Sequence, residues 1–210
     1  MTEALIQGSD EWLAARCGKV TASRIGDLIA RTKTGPSASR ANYLAQLIAE
    51  RLTGSVERGY VSAEMQWGTD HEADACAAYA FMHDAELAET GFVLHPAIDG
   101  SGASPDRLVA ADGLLEVKCP NTATHLDTLL SGVVPQRYQP QMQWQMACTG
   151  RQWCDFASFD PRLPPSMRLF VRRVPRDDDV IALLEKEVRT FLAELEAKVA
   201  ALVQTYERAA

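Results

Sequence analysis

No apolar run in the sequence approaches the roughly 20 residues a membrane-spanning helix needs, and the opening "MTEALIQGSDEW" is too acidic for a signal peptide. No C-x-x-C pair, internal repeat or G-x-x-x-x-G-K-[ST] loop is present, and His71, His83, His95 and His125 show no ligand spacing. Zinc-hydrolase and NTPase chemistries are therefore disfavoured. The five cysteines, Cys17, Cys76, Cys119, Cys148 and Cys154, are odd in number and scattered. That usage leads us to expect a reduced, cytoplasmic protein with no membrane association, no structural zinc and no iron–sulfur cluster. Positive charge is also short: 21 Lys and Arg face 28 Asp and Glu, a net charge of −7. Broad, non-specific nucleic-acid binding is disfavoured, but a local basic surface is not. A site that collects divalent cations needs carboxylates and would itself push the balance acidic.

What is present fits one substantial core: 210 residues, 47% hydrophobic, expected as a single domain over 1–210. "GSDEWLAARCGK" predicts a short helix capped by Ser9, and "TASRIGDLIAR" a second with Thr21 or Ser23 as its cap. "TKTGPSAS" predicts a polar loop, the most flexible segment. "RANYLAQLIAERLTG" and "AEMQWGTDHEADACAAYAFMHD" have helical patterning. "ELAETGFVLHP", "GSGASPDRLVAA" and "GLLEVKCP" predict three successive strands. "TATHLDTLLSG" and "PQRYQPQMQWQMACTG" return to helix, with Pro140 marking a kink or the true start. Two more strands and a long C-terminal helix over 176–208 complete an α/β fold with a mixed central sheet. Its apolar stripe is Val180, Ile181, Leu184, Val188, Phe191, Leu195, Leu202 and Tyr206.

The chemistry concentrates in "SPDRLVAADGLLEVKCP". Residues two apart on a strand share a face, so Glu116 and Lys118 project together, and Asp106 on the preceding strand can lie beside them. Two carboxylates and an ammonium on one face would collect a hard cation. Metal with lysine is the equipment of phosphodiester hydrolysis. Enzymes accelerate reactions by about 10⁶–10¹⁷-fold, and phosphate-ester hydrolysis lies near or beyond the top of that range. A positioned acid or base gives only about 10²–10⁴-fold, so a metal must supply much of the rest. The competing reading is a solvated hairpin face. E-x-K alone carries little, since Glu196–Lys198 repeats it on a helix, where residues two apart splay by about 200°.

Three further features bear on the choice. Glu72 lies near the small residues Gly68 and Ala75, with room for an approaching group, or else on an exposed charged turn. Gln141, Gln143 and Gln145 alternate with Met and Trp, so some face a wet site or the helix is partly exposed. Arg16, with the hydroxyls of Thr21 and Ser23 and free helix N–H groups, would make a phosphate site; it also reads as a surface arginine.

"GSDEWLAARCGKVTAS", "WGTDHEADA", "SPD…LLEVKCP" and "YQPQMQWQM" occur in the order and approximate spacing of the lambda-exonuclease-like (YqaJ-type) phage recombination nucleases. The chain resembles that family over roughly residues 7 to 160. The resemblance implies a restriction-endonuclease-like PD-(D/E)XK core and 5′–3′ digestion of linear double-stranded DNA. Mononucleotides would be released and a 3′ single strand left for a single-strand annealing protein. It implies Mg²⁺, two ions with Mn²⁺ as a substitute, held by Asp106, Glu116 and the Val117 carbonyl. Lys118 would orient the attacking water, with Glu72 and Gln141 supporting the second metal or water positions. Arg16, Ser23 and Ser104 would hold the 5′-phosphate. A homotrimeric ring in the cytoplasm of a bacterial host, prophage-derived, is implied as well. The family's additional acid before the "SPD" has no match in spacing; Asp99 is nearest and is left out of the site. The alternatives are a nuclease of different specificity on the same core, whose iron–sulfur variants the cysteines do not serve, and a non-catalytic DNA-end-binding recombination module.

Overall fold

The structure is a computed structural model and describes residues 6–33, 35–56, 59 and 61–206. In chain order its elements are α1 (Asp10–Arg16), β1 (Val20–Thr21), α2 (Ile25–Ile29), β2 (Arg31–Thr32), β3 (Gly35–Pro36), α3 (Ala38–Thr53) and α4 (Ala63–His83). There follow β4 (Leu87–Ala88), β5 (Val93–Leu94), β6 (Ser101–Ala103), β7 (Arg107–Val109), β8 (Gly113–Lys118), α5 (Thr122–Ser131) and α6 (Gln139–Thr149). β9 (Trp153–Phe159), β10 (Leu169–Pro175) and α7 (Asp178–Tyr206) complete the chain. Side chains set the helix starts. Ser9, Ser37, Ser62 and Asn121 each accept a backbone N–H from the first turn of α1, α3, α4 and α5.

The central sheet has five strands in the order β10-β9-β8-β7-β4. β8 and β9 run parallel and the other pairs antiparallel, so the sheet is mixed as expected. β8 is central and covered on both faces. Leu115 and Val117 pack with Ala75 and Tyr79 of α4, and Leu114 packs with Met142 and Met146 of α6. A second sheet, β1-β6-β5, lies beneath a third apolar cluster in which Val188, Phe191 and Leu195 of α7 meet Tyr43, Leu47 and Trp144.

Several expectations are corrected. "GSGASPDRLVAA" is not one strand: it breaks between β6 and β7, which belong to different sheets, at Pro105, which cannot donate to a ladder. The second helix begins at Ile25, and neither Thr21 nor Ser23 caps it; Thr21 is in β1 and Ser23 in a 3₁₀ turn. The 32–39 segment contains part of a small hairpin, Arg31–Thr32 against Gly35–Pro36; Thr34 lies outside the described residues. Of the two readings of Pro140 the helix start holds and the kink does not, since α6 begins at Gln139 after a single 3₁₀ turn. In α7 the stripe is buried from Ile181 to Leu195. Leu202 and Tyr206 are exposed, because a 29-residue helix, about 44 Å long, outruns the core at its C-terminal end; Val180 is exposed because it lies about 100° around the helix from the buried Ile181. Positions 207–208 of the expected helix lie outside the described residues. No helix among those described is long and apolar enough to cross a membrane, and the five cysteines are free.

Candidate active site

The period-2 alternation of β8 divides its residues cleanly. Val117 turns to the α4 face, while Glu116 and Lys118 turn to the α6 face. The β7–β8 register pairs Arg107 with Leu115, which carries Asp106 to the level of Glu116 on the same face. There Asp106 Oδ2 accepts the Val117 N–H at 2.6 Å, closing the ladder where β7 peels away. In an antiparallel pair the N–H and C=O of a residue point to the same neighbour, so the Val117 carbonyl also faces that gap.

Glu116 is completely buried, and both its oxygens are engaged. Oε1 accepts from Lys118 Nζ at 2.5 Å and from Gln141 Nε2 at 2.5 Å; Oε2 accepts from Gln145 Nε2 at 2.6 Å. Gln141 and Gln145 stand one turn apart on α6, so one helix face delivers both amides. For Lys118, burial works against the ammonium, but the charges of Glu116 and Asp106 outweigh it and raise its pKa. Burial pushes the Asp106 carboxyl well above the usual carboxylate range, and the neighbouring charge of Glu116 pushes it further. Lys118 and the Val117 N–H pull the other way.

The far wall comes from the N-terminal segment. Trp12 Nε1 donates to Ser104 Oγ at 2.9 Å, Gln7 Nε2 donates to the Pro105 carbonyl at 2.9 Å, and the Arg16 guanidinium stacks 3.8 Å over the Trp12 ring. Burial lowers the Arg16 pKa from its usual value, although a guanidinium stays protonated even so. The Thr21 and Ser23 hydroxyls lie 3.5 Å apart, and neither caps a helix. A cleft of about 190 Å³ brings together Arg16, Ser23, Ser104, Asp106, Glu116, Lys118 and Gln141.

Two of the expected site residues do not line this cleft: Val117, expected through its backbone carbonyl, and Glu72. Glu72 accepts from Arg107 at 3.2 Å on the α4 side of the sheet and lines a neighbouring cleft of about 430 Å³ that meets the first at Asp106, Trp12 and Gln7. Asp99 lines neither cleft. Sequence reasoning missed Trp12 and Arg107. Trp12 had a usable signal, since it precedes Arg16 by one helical turn; the Arg107–Glu72 pair depends on strand and helix packing and had none.

The donor set decides what the cleft can hold. Among the described residues no three His, Cys, Asp or Glu side chains form a ready-made metal cage. Mg²⁺ does not require one, because it is bound through one or two carboxylates plus water and substrate phosphate. Asp106, Glu116 and the Val117 carbonyl are hard oxygen donors of that kind. Burial, and then the charge of Glu116, disfavour the ionised Asp106 carboxylate, and a bound cation would offset both. The residues fit the ion.

Residues 11–152 match the model of the YqaJ-like viral recombinase domain. The chain belongs to that family. Among solved structures it is similar to an alkaline exonuclease (LHK-Exo) from Laribacter hongkongensis, with 51% identity over 96% of this chain and 100% of the other, and a TM-score of 0.90. The same enzyme in complex with dAMP matches with the same figures. A phage-related exonuclease from Haemophilus somnus 129PT matches at a TM-score of 0.68 and 15% identity over 88% of this chain and 96% of that one, a likeness of fold alone. Comparison with curated protein sequences finds no match. The family and the alkaline-exonuclease likeness identify a nuclease of the phage-recombinase type, a phosphodiesterase, on the expected core with its long C-terminal helix.

Proposed function

We propose that this family member is a Mg²⁺-dependent 5′–3′ exonuclease. It would digest the 5′-ended strand of linear duplex DNA, release 5′-mononucleotides and leave a 3′ single strand for an annealing partner. The reading rests on one observation: the acids and lysine share a single small cleft with Arg16, Ser23 and Ser104. A guanidinium and two hydroxyls suit a terminal phosphate. Placing that holder beside the hydrolytic residues measures off one nucleotide from a chain end. The dAMP complex of the 51%-identical enzyme agrees with a mononucleotide product.

Asp106, Glu116 and the Val117 carbonyl would hold Mg²⁺, with Mn²⁺ as a substitute. When bound, the ion supplies charge neutralisation at the phosphate and a more acidic water. Lys118 donates hydrogen bonds from its ammonium and orients the attacking water. Gln141, on the cleft wall, holds Glu116 and supports the second metal or water position. Glu72 would serve a second ion from the adjoining cleft. The assembly proposed is a homotrimeric ring around DNA in the bacterial cytoplasm; light scattering should give about three times the 23.0 kDa chain mass.

On linear 5′-phosphorylated duplex, Mg²⁺ should yield mononucleotides and a surviving 3′-ended strand, and EDTA should stop the reaction. End binding without digestion would replace this reading with the non-catalytic module. Arg16→Ala should lower the preference for phosphorylated over hydroxyl ends by roughly 10–100-fold, since a hydrogen bond to a charged group contributes about 1.5–3 kcal/mol. An unchanged ratio of rates on the two ends removes Arg16 from the phosphate site.

A further inference from the structure

We infer that Gln145 is a positioning residue that makes Glu116 a one-oxygen ligand and so tunes the site toward Mg²⁺ over larger cations. The inference rests on the metal reading of Asp106 and Glu116. Gln145 is completely buried and lines neither cleft, so it does not reach substrate. Its amide nitrogen is committed to Glu116 Oε2 at 2.6 Å, and its amide oxygen faces the Cys154 thiol at 4.0 Å. Thr149 Oγ1 donates to the Gln145 carbonyl at 2.8 Å, inside the same helix. Gln141, by contrast, stands in the cleft wall and shares Oε1 with Lys118.

The two oxygens of Glu116 are therefore unequal. Oε1 meets the cleft-lining Lys118 and Gln141, whereas Oε2 is tied from behind by an amide that cannot follow a ligand into the cleft. Coordination through Oε1 displaces only a donor that already lines the cleft, whereas turning the carboxylate so that both oxygens face the cleft would draw Oε2 off the buried Gln145 amide. Mg²⁺ takes octahedral oxygen ligands at about 2.0–2.1 Å and is satisfied by single-oxygen carboxylates. Ca²⁺ takes about 6–8 oxygens at longer range and gains from two-oxygen carboxylates. Tying back Oε2 withholds that gain from Ca²⁺ and costs Mg²⁺ nothing.

The test is calorimetric titration of the metal-free, DNA-free protein with MgCl₂ and with CaCl₂. Gln145→Met keeps the volume and removes the donor, and Gln145→Asn withdraws the amide by one methylene in case the first variant fails to fold. In either, the ratio of Mg²⁺ to Ca²⁺ affinity should fall by roughly tenfold, the lower end of what loss of a ligand's hydrogen-bond partner does to metal affinity. A merely structural role would weaken both ions by one factor and leave the ratio at the wild-type value; that result overturns the inference. Glu116→Ala separates the two levels. If it leaves both titrations unchanged, the metal reading itself fails. If it abolishes binding while both Gln145 variants keep the wild-type ratio, only the role of Gln145 is lost.

Discussion

Lys118→Ala should lower the single-turnover cleavage rate by roughly 10²–10³-fold, the usual loss when one preorganised donor is removed from a developing charge. Duplex binding measured in Ca²⁺ should stay within about threefold of wild type, because a contact that matters mainly in the transition state adds little to ground-state affinity. The geometry sharpens the expectation. Lys118 Nζ contacts Glu116 Oε1 and stands 5.3 Å above the Tyr138 ring, with 28% of its side chain exposed. It can therefore reach a reacting group in the cleft. Glu116 keeps Gln141 and Gln145 when the lysine is gone, so the carboxylate is not left without donors. Single-turnover kinetics at saturating Mg²⁺ with 5′-phosphorylated duplex make the measurement. A wild-type rate in this variant would leave Lys118 a structural partner of the buried Glu116 with no part in the cleavage step.

Much of this was legible in the residues, for identifiable reasons. Glu116 and Lys118 share a face because strand periodicity is local and strict, and the helix ends follow from serine, asparagine and glycine at the boundaries. The fate of "GSGASPDRLVAA" was not legible. Its alternation suits one strand, and only the pairing partners, β1 and β5 for one half and β8 and β4 for the other, show that Pro105 divides two sheets. Glu72 shows the same limit. Its place on a helix before the sheet was readable, but its partner Arg107 faces away from Asp106 by the same alternation that joins Asp106 to Glu116. Gln145 was ambiguous until α6 had a known face. Among the three glutamines, Gln143 accepts from the Asp177 N–H and donates to the Pro175 carbonyl, a structural task, while the other two hold Glu116.

Asp106→Asn should abolish most Mg²⁺-dependent cleavage and yet raise the melting temperature of the metal-free protein. Asparagine keeps an oxygen for the Val117 N–H and removes the charge beside Glu116. In the wild type, burial and Glu116 raise the Asp106 pKa in the folded state above its unfolded value of about 3.9. A group of that kind binds its proton more readily folded than unfolded. Its favourable contribution is present below the unfolded value and is lost as pH rises through the folded one. Above the unfolded value Asp106 therefore costs stability, whether it stays ionised or takes up a proton on folding, and the amide relieves that cost; each kcal/mol recovered corresponds to about 2–4 °C in a chain this long. Metal reverses the order. Mg²⁺ binds the folded wild type and stabilises it by mass action, whereas the variant lacks one carboxylate and gains less. Melting curves in EDTA and in Mg²⁺ should therefore cross, with the variant the more stable of the two only without metal, and its advantage in EDTA should shrink as pH falls. Equal Mg²⁺ shifts for both proteins, or a variant that melts below wild type in EDTA, would mean that Asp106 is a structural acid, bound to the Val117 N–H and to no ion.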